Sequence, residues 1–368
     1  MALEQLNLGL VGIGGRGGSF RSTCESLGVR LRAVCDSDPR RLAESQRYLV
    51  ADEQYTDFDE MLSHADLDAV IISTPMPLHA QQSIAALRRN VHVLCEVTPA
   101  ISIDECQQLV RACRESEAIY MLAENCNLMK PNLVVREMVS RGLFGKTYYA
   151  EGEYLHELKA LNEQTPWRRR WQTGVNGITY GTHSLGPILQ WMPGDRVIEV
   201  SCSGSGHHYL DPRGHQYENE DNCVMLCRMA SGGLVKIRVD MLSNRPYGLN
   251  YSLQGTEGAY ESARQPGDPH RVWLRSRNTN AEQWLDLSAL EDEFLPQWWH
   301  AHAQDAQRTG HDGSDFYMLL RFIEVMTGHA MNTLGIHTAM DMTLPGLISQ
   351  QSISQNGVWL AAPDSRAW

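Results

Sequence analysis

The sequence lacks the segments by which a chain spans or enters a membrane. No run of about 18 apolar residues, the length that a membrane-spanning helix needs, occurs among its 368 residues. The amino-terminal stretch has neither the basic region nor the cleavage site of a signal peptide, and its apolar residues favour a first β-strand. We therefore expect a cytoplasmic protein with no membrane partner.

Basic charge is also scarce. The 32 Lys and Arg residues stand against 44 Asp and Glu residues, which gives a formal net charge of −12 at pH 7. Such a surface repels phosphate backbones, so we expect no nucleic-acid partner. Hydrophobic residues make up 42% of the chain, which is typical of folded globular proteins, and the length favours two domains.

The sequence also lacks the spacings of Cys and His residues that are typical of metal-binding sites. The nine cysteines are odd in number and include no Cys-x2-Cys pair, so we expect buried reduced thiols rather than a zinc site. His156, Glu157 and His183, with Glu153 nearby, form an alternative ligand set from separate segments. They do not have the H-E-x-x-H spacing of a zinc site, and we therefore predict no bound metal.

What the chain does have is a glycine-rich turn directly after its first apolar segment. "LNLGLVGIGGRGGSF" predicts a strand that runs into a G-x-G-x-x-G motif, and the helix-like "SFRSTCESLG" follows it. The glycines allow a tight turn close to a pyrophosphate, to which the helix N-terminus offers N–H groups and a partial positive charge. A purely structural turn is the alternative. The predicted cofactor-binding residues here are Gly12, Gly14, Gly15, Arg16 and Gly17.

The second predicted strand, "VRLRAVCDSDP", ends in a carboxylate. Asp36 stands at the distance from the glycines that is expected of the residue binding a ribose diol. Its negative charge favours NAD and repels the 2′-phosphate of NADP. Arg40 and Arg41 follow closely, so NADP is disfavoured without being excluded.

Three further apolar segments, "LDAVIIST", "VHVLCE" and "AIYMLAEN", alternate with helical patterns. This alternation predicts an α/β fold in which residues 1–125 form a Rossmann domain with a doubly wound parallel sheet. Ligands of such sheets bind beyond the carboxyl ends of the strands. The residues that we expect to line this crevice are Thr74, Pro75, His79, Glu96 and Asn125. For His79, a surface position at a helix cap is the alternative.

Beyond residue 125 the pattern changes to alternating strands joined by short glycine turns, as in "KTYYAEGEYLHEL" and "YGLNYSLQGTEGAYES". Residues 126–368 are predicted to form an α+β domain with a large open, mostly antiparallel sheet and C-terminal helices that pack back. An open sheet leaves an exposed face, which we expect a homodimer or homotetramer to cover.

One segment of this second domain concentrates reactive side chains. "WRRRWQTGVNGITYGTHSLGPILQWM" predicts a helix face that Tyr180 and His183, three residues apart, can share. An imidazole titrates near neutral pH and a phenol can pass on a proton, so the pair suits acid–base catalysis. A core tyrosine and a histidine satisfied within the helix are the alternative. The run of three arginines from Arg168 is either a substrate anchor or a solvated, ion-paired stretch.

With these residues assembled, nearly the whole chain resembles the glucose–fructose oxidoreductase / inositol dehydrogenase (Gfo/Idh/MocA) family. The resemblance rests on "GLVGIGGRG", "DAVIISTPMPLHA", "HVLCE", "GLFGK" and "THSLGPIL". It implies NAD(P) binding and hydride transfer on a sugar or polyol. Two proton-handling positions of the usual dehydrogenases differ here: Val97 replaces the lysine of Glu-Lys-Pro, and Thr179 replaces an aspartate.

A narrower set of segments is similar to the NAD-dependent glycoside hydrolases typified by α-N-acetylgalactosaminidase: "CEVTPA", "LAENCN", "GLFGKTYYAEGEYLHEL", "TYGTHSLGPILQWM", "NRPYGLNYSLQGTEG" and "GHDGSDFYML". This resemblance implies that a hydride leaves sugar C3, the acidified C2 proton is removed, the glycosidic bond breaks, water adds and the hydride returns. It also implies that Tyr180 and His183 are the acid–base residues and that Glu96 holds the nicotinamide ribose. The substrate-side residues implied in the same way are His156, Arg168, Tyr247 and Asp315.

Three functions are open from the sequence. The first is an NAD(P)-dependent oxidoreductase that acts on a sugar, polyol or glycoside by hydride transfer. The second is a redox-neutral glycoside hydrolase that uses NAD, and the third is a non-catalytic regulator that binds NAD and a sugar. Several titratable groups at a hydride acceptor favour an enzyme over a regulator.

Overall fold

In the computed structural model, which describes residues 6–278, 280 and 282–368, the chain divides into two compact units. The first unit contains the residues up to Met129, Trp298–Met340 and Ser365–Trp368, and the second contains Lys130–Gln297 and Asp341–Asp364. The expected boundary at residue 125 falls close to the first of these junctions. The chain later returns to the first unit over 298–340, a stretch that the sequence-based division placed in the second domain.

A parallel six-stranded sheet organises the first unit. Its strands are β1 Leu8–Val11, β2 Leu31–Cys35, β3 Ala51–Tyr55, β4 Ala69–Ile72, β5 His92–Cys95 and β6 Tyr120–Leu122, and its first helices are α1 Gly15–Leu27, α2 Pro39–Ser45, α3 Phe58–His64, α4 His79–Leu87 and α5 Ile103–Glu115. The strand order is β3-β2-β1-β4-β5-β6, so the direction of winding reverses between β1 and β4. Both of these strands are buried along their full length, which explains their unbroken apolar sequences.

A nine-stranded sheet organises the second unit. Its strands are β7 Thr147–Leu155, β8 Val197–Gly204, β9 Asn222–Met229, β10 Leu234–Asp240, β11 Gly248–Gly255, β12 Gly258–Glu261, β13 Arg271–Leu274, β14 Leu285–Asp286 and β15 Leu360–Ala361, and its helices are α6 Lys130–Ser140, α7 Lys159–Gln164, α8 Pro166–Trp171, α9 Thr182–Trp191 and α10 Glu291–Phe294. The order is β14-β13-β12-β11-β7-β10-β9-β8-β15, and β7–β10 is its parallel pair. Together the two sheets confirm the predicted fold class.

The last helices are α11 Gln297–Ala301, α12 Ala303–Ala306, α13 Ser314–Met326 and α14 Ile336–Ser354. Short 3-10 turns occur at Met76–Leu78, Asn125–Leu128, Leu287–Leu290, His311–Gly313 and Ser365–Ala367. α13 explains why the chain returns to the first unit, because it is apolar and buried around most of its circumference and packs against α1. Within the described ranges, no helix combines the length and the apolar character needed to cross a membrane.

Candidate active site

The turn between β1 and α1 leaves no room for side chains at two of its glycines. Gly12 has a φ of +81°, and a Cβ built there would lie 2.7 Å from the backbone nitrogen of Thr74. A Cβ at Gly17 would lie 1.7 Å from the carbonyl oxygen of Gly12. The turn, the start of α1 and the chain after β4 thus approach one another backbone to backbone, which glycine alone permits.

The N-terminus of α1 is open to an anionic ligand. Gly14 is the N-cap and carries no side chain that accepts from the first-turn N–H groups. A Cβ at Gly15 would meet no heavy atom of the described residues within 4 Å. The glycine turn and this uncapped helix start therefore fit the pyrophosphate of a dinucleotide, whose charge the helix dipole would stabilise.

Asp36 lies beside this turn, directly after β2. The residue is 5% exposed, and its carboxylate accepts hydrogen bonds from the N–H groups of Ile13 at 3.1 Å and Asp38 at 3.0 Å. Arg41 donates Nη1 to both carboxylate oxygens, at 3.0 and 3.1 Å. These bonds hold a carboxylate where the ribose diol of a nucleotide would bind.

An ion-pair network joins the glycine turn to the end of β5. Arg16 donates Nε to Glu96 at 2.8 Å and makes two further hydrogen bonds, at 2.7 and 2.9 Å, to the carboxylate of Asp315. His311 Nδ1 lies 3.0 Å from the same carboxylate. Burial acts to raise the pKa of Asp315, but hydrogen bonds from His311 and Arg16 outweigh it and hold that pKa well below its ordinary value. Glu96 thus accepts a hydrogen bond from the guanidinium of Arg16, which Asp315 orients.

Asp315, which the resemblance places on the substrate side, lies in the first turn of α13. α13 lies in the segment that returns to the first unit, and its first turn meets the glycine turn there. The pattern "GHDGSDFYML" indicates a helix without indicating which unit receives it. Asp315 accepts two hydrogen bonds from Arg16, and its expected place on the substrate side stays a prediction.

His79 is buried, with 1% of its surface exposed, so the alternative of a surface helix cap is wrong. Its Nδ1 lies 2.8 Å from the carbonyl oxygen of Thr98 and its Nε2 lies 2.7 Å from that of Thr74. Two carbonyl acceptors require a donor at each ring nitrogen, which the imidazolium form provides. Burial lowers the pKa of His79, but the Cys95 sulfur and the carbonyls outweigh it, and the net pKa lies above its ordinary value. His79 therefore joins the segments after β4 and β5, and its place in the cofactor site stays a prediction.

The other predicted cofactor residues follow β4 and β6. Thr74 donates its hydroxyl to Gln82 at 2.6 Å, and Pro75 comes directly after it. Asn125 is 4% exposed and donates to the hydroxyl of Ser314 at 3.4 Å. All three lie at carboxyl ends of strands of the parallel sheet, as expected.

In the second unit, five rings gather where β7 ends and α9 begins. The centroids of Tyr180 and His183 are 5.0 Å apart, and the ring of Tyr154 lies 5.5 Å from the first and 5.2 Å from the second. His156 lies 5.7 Å from Tyr154 and 5.1 Å from Tyr247. We call these five residues the tyrosine–histidine cluster. The structure thus brings four predicted site residues together around a tyrosine that was not predicted.

Hydrogen bonds orient the members of this cluster. The hydroxyl of Tyr154 lies 2.7 Å from Nδ1 of His156, and Tyr251 donates its hydroxyl to the carbonyl oxygen of His183 at 2.6 Å. Burial lowers the pKa of His156 below its ordinary value; the charge of Glu157 opposes this shift, and that of Arg168 acts with burial. The lowered pKa favours the neutral imidazole, a form that can accept a proton.

A close approach between β7 and α9 sets the geometry of the cluster. A Cβ at Gly152 would lie 2.4 Å from the carbonyl oxygen of Ser184, so the helix backbone rests directly on the strand. Side chains alternate along a strand, which directs Tyr154 to the same face as Gly152. His183, in the first turn of α9, reaches that face.

The sequence left open whether the three arginines Arg168–Arg170 anchor a substrate or form ion pairs, and the structure shows different surroundings for each of them. Arg168 is half-buried; burial lowers its pKa, and the nearby phenols of Tyr180 and Tyr154 act against that shift. Arg169 instead pairs with two carboxylates, and Arg170 is exposed. The ion-paired interpretation therefore describes Arg169, whereas Arg168 lies beside the tyrosine–histidine cluster.

Two family models together match nearly the whole chain. Residues 6–124 match the model described as an oxidoreductase family with an NAD-binding Rossmann fold, and residues 129–367 match the C-terminal domain of glycosyl hydrolase 109. The chain belongs to glycosyl hydrolase family 109. These matches confirm the predicted resemblance to the NAD-dependent hydrolase branch of the Gfo/Idh/MocA family.

Relatives named for family 109 align with almost all of this chain. The family 109 protein of Shewanella pealeana is 29% identical over 395 residues, covering 98% of this chain and 86% of that protein. The α-N-acetylgalactosaminidase of Shewanella oneidensis is 29% identical over 396 residues, covering 98% and 85%. Among solved structures, levoglucosan dehydrogenase in complex with NADH and L-sorbose has a TM-score of 0.82 at 18% identity, over 98% of this chain and 100% of that one. At that identity, the likeness shows the fold.

Membership of family 109 identifies the protein as an NAD-dependent enzyme, as the sequence predicted. Two residues of this family 109 site were not predicted. Ser73 donates its hydroxyl to the carbonyl oxygens of Val11 at 3.0 Å and Gly12 at 2.8 Å, and so stabilises the glycine turn. The sequence feature that could have indicated Ser73 is a hydroxyl residue at the end of a buried strand. For Tyr154 it is the alternation of aromatic and polar residues in "KTYYAEGEYLHEL".

Proposed function

We propose that this family 109 protein is a redox-neutral glycosidase. It takes a hydride from C3 of the sugar, breaks the glycosidic bond by elimination and returns the hydride to the product. The tyrosine–histidine cluster carries the proposal, because it gathers several groups able to hold or move protons around one tyrosine. NAD, when bound, would accept the hydride and later give it back.

The first unit would bind NAD, in preference to NADP. Gly12, Gly14, Gly15 and Gly17 would receive the pyrophosphate at the start of α1. Asp36 would accept from the adenosine ribose and Glu96 from the nicotinamide ribose, with Arg16 and His79 as positioning residues. Thr74, Pro75 and Asn125 would complete the lining. The buried carboxylate of Asp36 supports NAD, because it would repel a 2′-phosphate.

The second unit would supply the acid–base residues. A ketone at C3 acidifies the proton on C2, and a base must remove that proton before the bond at C1 breaks. We assign Tyr180 and His183 to this base and to the acid that protonates the departing oxygen. The lowered pKa of His156 favours a neutral imidazole, which can accept a hydrogen bond from the hydroxyl of Tyr154. Water then adds at C1, a proton returns to C2, and the hydride returns to C3, so no net oxidation occurs.

The substrate would be a glycoside bound through its hydroxyl groups by Arg168, His156 and Tyr247. Tyr247 is 53% exposed, and its ring offers an apolar surface to one face of a sugar. The half-buried guanidinium of Arg168 offers donors to hydroxyl or carbonyl oxygens. An N-acetylgalactosaminide is the first substrate to test, because a relative is named for that activity.

The test incubates the protein with NAD and p-nitrophenyl N-acetyl-α-galactosaminide in D2O. We expect aglycone release, no net growth of the reduced-nicotinamide absorbance, and one deuterium at C2 of the released sugar. Release without deuterium at C2 would mean direct hydrolysis and would contradict the elimination.

A dehydrogenase with net cofactor turnover is the second candidate, favoured by the match of residues 6–124 to an oxidoreductase family. Growth of the reduced-nicotinamide absorbance with a free sugar, and no aglycone release, would support it. NAD binding with neither response across free sugars and aryl glycosides would instead favour the non-catalytic regulator.

We also propose that the protein is a cytoplasmic homodimer or homotetramer formed across the open face of the nine-stranded sheet. That face carries cross-strand ion pairs such as Lys236 with Glu151 and Arg228 with Glu199, a polar surface that a second copy can complement. Light scattering on the purified protein tests this, and a monomer at micromolar concentration would contradict it.

A further inference from the structure

A loop of residues 241–247 joins β10 to β11 and ends at Tyr247. The ring of Tyr247 lies 5.1 Å from that of His156 and 6.2 Å from that of Tyr154. The first two residues of the loop are buried, whereas residues 244–247 are exposed. A ring on an exposed part of a loop keeps a fixed place in the tyrosine–histidine cluster only if other groups hold that loop.

Hydrogen bonds of the backbone fix the start of this loop. The N–H of His156 donates to the carbonyl oxygen of Asp240 at 2.8 Å, and the N–H of Leu158 donates to that of Met241 at 2.9 Å. The buried carboxylate of Asp240 also accepts from the N–H of Ser243 at 2.9 Å. The start of the loop is therefore tied to the chain on both sides of Glu157, next to His156.

The ammonium of Lys159 holds the middle of the loop. From the start of α7, its Nζ donates to the carbonyl oxygen of Leu242 at 2.6 Å and to Oδ1 of Asn244 at 2.7 Å. Nζ also lies 3.1 Å from Oε1 of Glu157, and 22% of the side chain is exposed. These three acceptors match the three N–H donors of an ammonium. Lys159 therefore binds groups of the protein rather than a ligand.

Tyr209 contacts the same two residues. Nζ of Lys159 lies 4.5 Å from the centroid of the Tyr209 ring, within the range of a cation–π contact. The N–H of Asn244 donates to the hydroxyl of Tyr209 at 3.3 Å. One cation thus joins α7, the loop of residues 241–247 and the ring of Tyr209.

The sequence positions of the bonded residues connect this junction to the cluster. Lys159 follows His156 by three residues, and Asn244 precedes Tyr247 by three residues. Removing the ammonium would take a charged donor from the buried carbonyl oxygen of Leu242 and would release the side chain of Asn244. The outer part of the loop would then carry Tyr247 with less restraint relative to His156.

We infer that Lys159 is a positioning residue for the proposed glycosidase and that it acts through Tyr247. It fixes the separation of the Tyr247 and His156 rings, the two rings proposed to bind the sugar. The acid–base residues Tyr180 and His183 belong to a different segment, so a looser loop should weaken substrate binding more than the chemical steps. The inference rests on the proposed function.

Steady-state hydrolysis of p-nitrophenyl N-acetyl-α-galactosaminide by the full-length protein with NAD tests the inference. Lys159→Met keeps the aliphatic stem and removes the three donors. We expect KM to rise about tenfold, the scale of a lost charge-assisted hydrogen bond, while kcat stays within about twofold. The Kd for NAD should be unchanged. Lys146→Met, at an exposed lysine directly before β7, is the matched control and should change none of these quantities.

A double-variant cycle tests whether Lys159 acts through Tyr247. Tyr247→Ala should raise KM at least as much as Lys159→Met, because the whole ring is lost. Combining the two substitutions should then raise KM little further, since the ring that Lys159 positions is already absent. If the two effects on KM multiply instead, Lys159 does not act through Tyr247, and the inference is wrong.

Asn244→Ala decides the question if Lys159→Met does not fold. The side chain of Asn244 is exposed, and its removal deletes one acceptor of the same ammonium. We expect KM to rise by a smaller factor, about threefold, at unchanged kcat, and not to rise further when Tyr247→Ala is also present. An unchanged KM in Asn244→Ala would contradict the inference.

The outcomes separate this inference from the proposed function. If the unmodified protein releases aglycone but Lys159→Met lowers kcat and thermal stability at unchanged KM, or changes nothing, the positioning role is wrong and the proposed function stands. If the unmodified protein releases no aglycone from any aryl glycoside, the proposed function itself is overturned, and the positioning role with it.

Discussion

The nucleotide site of the first unit is made chiefly of backbone, whereas the tyrosine–histidine cluster of the second unit is made of side chains. At Gly17 a single added carbon would lie 1.7 Å from a carbonyl oxygen, and Asp36 is held by two N–H groups. In the cluster, rings contact one another at centroid distances between 5.0 and 6.2 Å, with the Tyr154–His156 hydrogen bond among its internal contacts.

The two regions should therefore respond to substitution in different ways. A backbone cradle has no side chain to remove, so it fails when an atom is added. A ring cluster keeps its backbone when a side chain is truncated, so its chemistry can be lost while the fold and the first unit are preserved.

His183→Ala should have the largest effect, because it should abolish turnover at the tyrosine–histidine cluster without changing NAD binding by the first unit. We expect turnover of an aryl glycoside to fall about a thousandfold, the scale of losing a general acid or base, while the Kd for NAD is unchanged. Steady-state kinetics and a calorimetric titration measure the two quantities. His64→Ala, at an exposed histidine of α3, is the control and should change neither. If NAD affinity and turnover fell equally, the assignment of His183 as a general acid or base would be wrong.

Gly17→Ala should disrupt the glycine turn of the first unit and so weaken NAD binding. The added Cβ meets a backbone oxygen that cannot move aside, so we expect NAD affinity to fall about a hundredfold, on the scale of 1–3 kcal/mol for overpacking. Gly18→Ala is the matched control, because its Cβ would lie 3.5 Å from the nearest heavy atom among the described residues. If both variants bind NAD equally, the turn does not form the cofactor cradle.

Asp315→Asn should test the ion-pair network and its dependence on pH. At pH 7 we expect the free energy of unfolding to fall by about 2 kcal/mol, because charged hydrogen bonds to Arg16 are lost. The folded-state pKa of Asp315 lies below its unfolded value of about 3.9, so this stability is present above that value and is lost as the pH falls through the folded-state pKa. Denaturant unfolding at several pH values measures it.

The difference between Asp315→Asn and the unmodified protein should therefore shrink in acid. Asp312→Asn, in the same turn and exposed, is the control and should match the unmodified protein at every pH. A stability difference that stays constant down to acid pH would show that the Asp315 carboxylate contributes through packing rather than charge.

Tyr154→Phe should produce the smallest change and define the role of the central tyrosine. Removing the hydroxyl frees Nδ1 of His156, and we expect turnover to fall about tenfold, the scale of one hydrogen bond, at unchanged NAD affinity. Tyr149→Phe is the matched control on β7, since that phenol bonds Glu151 instead. Equal activities of the two variants would leave Tyr154 as a packing residue.

The expected nucleotide site depends on local patterns to a greater degree than the cluster does. Gly12, Gly17 and Asp36 belong to one strand–turn–helix–strand unit, so spacing alone locates them. Tyr154 and His183 come from β7 and α9, and only the close approach at Gly152 brings their rings together. No spacing in the sequence encodes that approach.

Two contacts that the sequence does not show also arise from tertiary structure. Asp315 lies with Arg16 because the chain returns to the first unit over 298–340. His79 meets two carbonyl acceptors because the segments after β4 and β5 close around it. A single sequence shows neither the return nor the closure.

The sequence by itself determined the order of strands and helices, the glycine turn, the acidic residue after β2 and the pairing of Tyr180 with His183, because each depends on residues close together along the chain. Tertiary structure decided which carboxylate supports Arg16, which tyrosine stands at the centre of the cluster and which arginine lies beside that cluster. Those choices depend on which segments meet across the fold, where burial and directional hydrogen bonds select among side chains that look alike in the sequence.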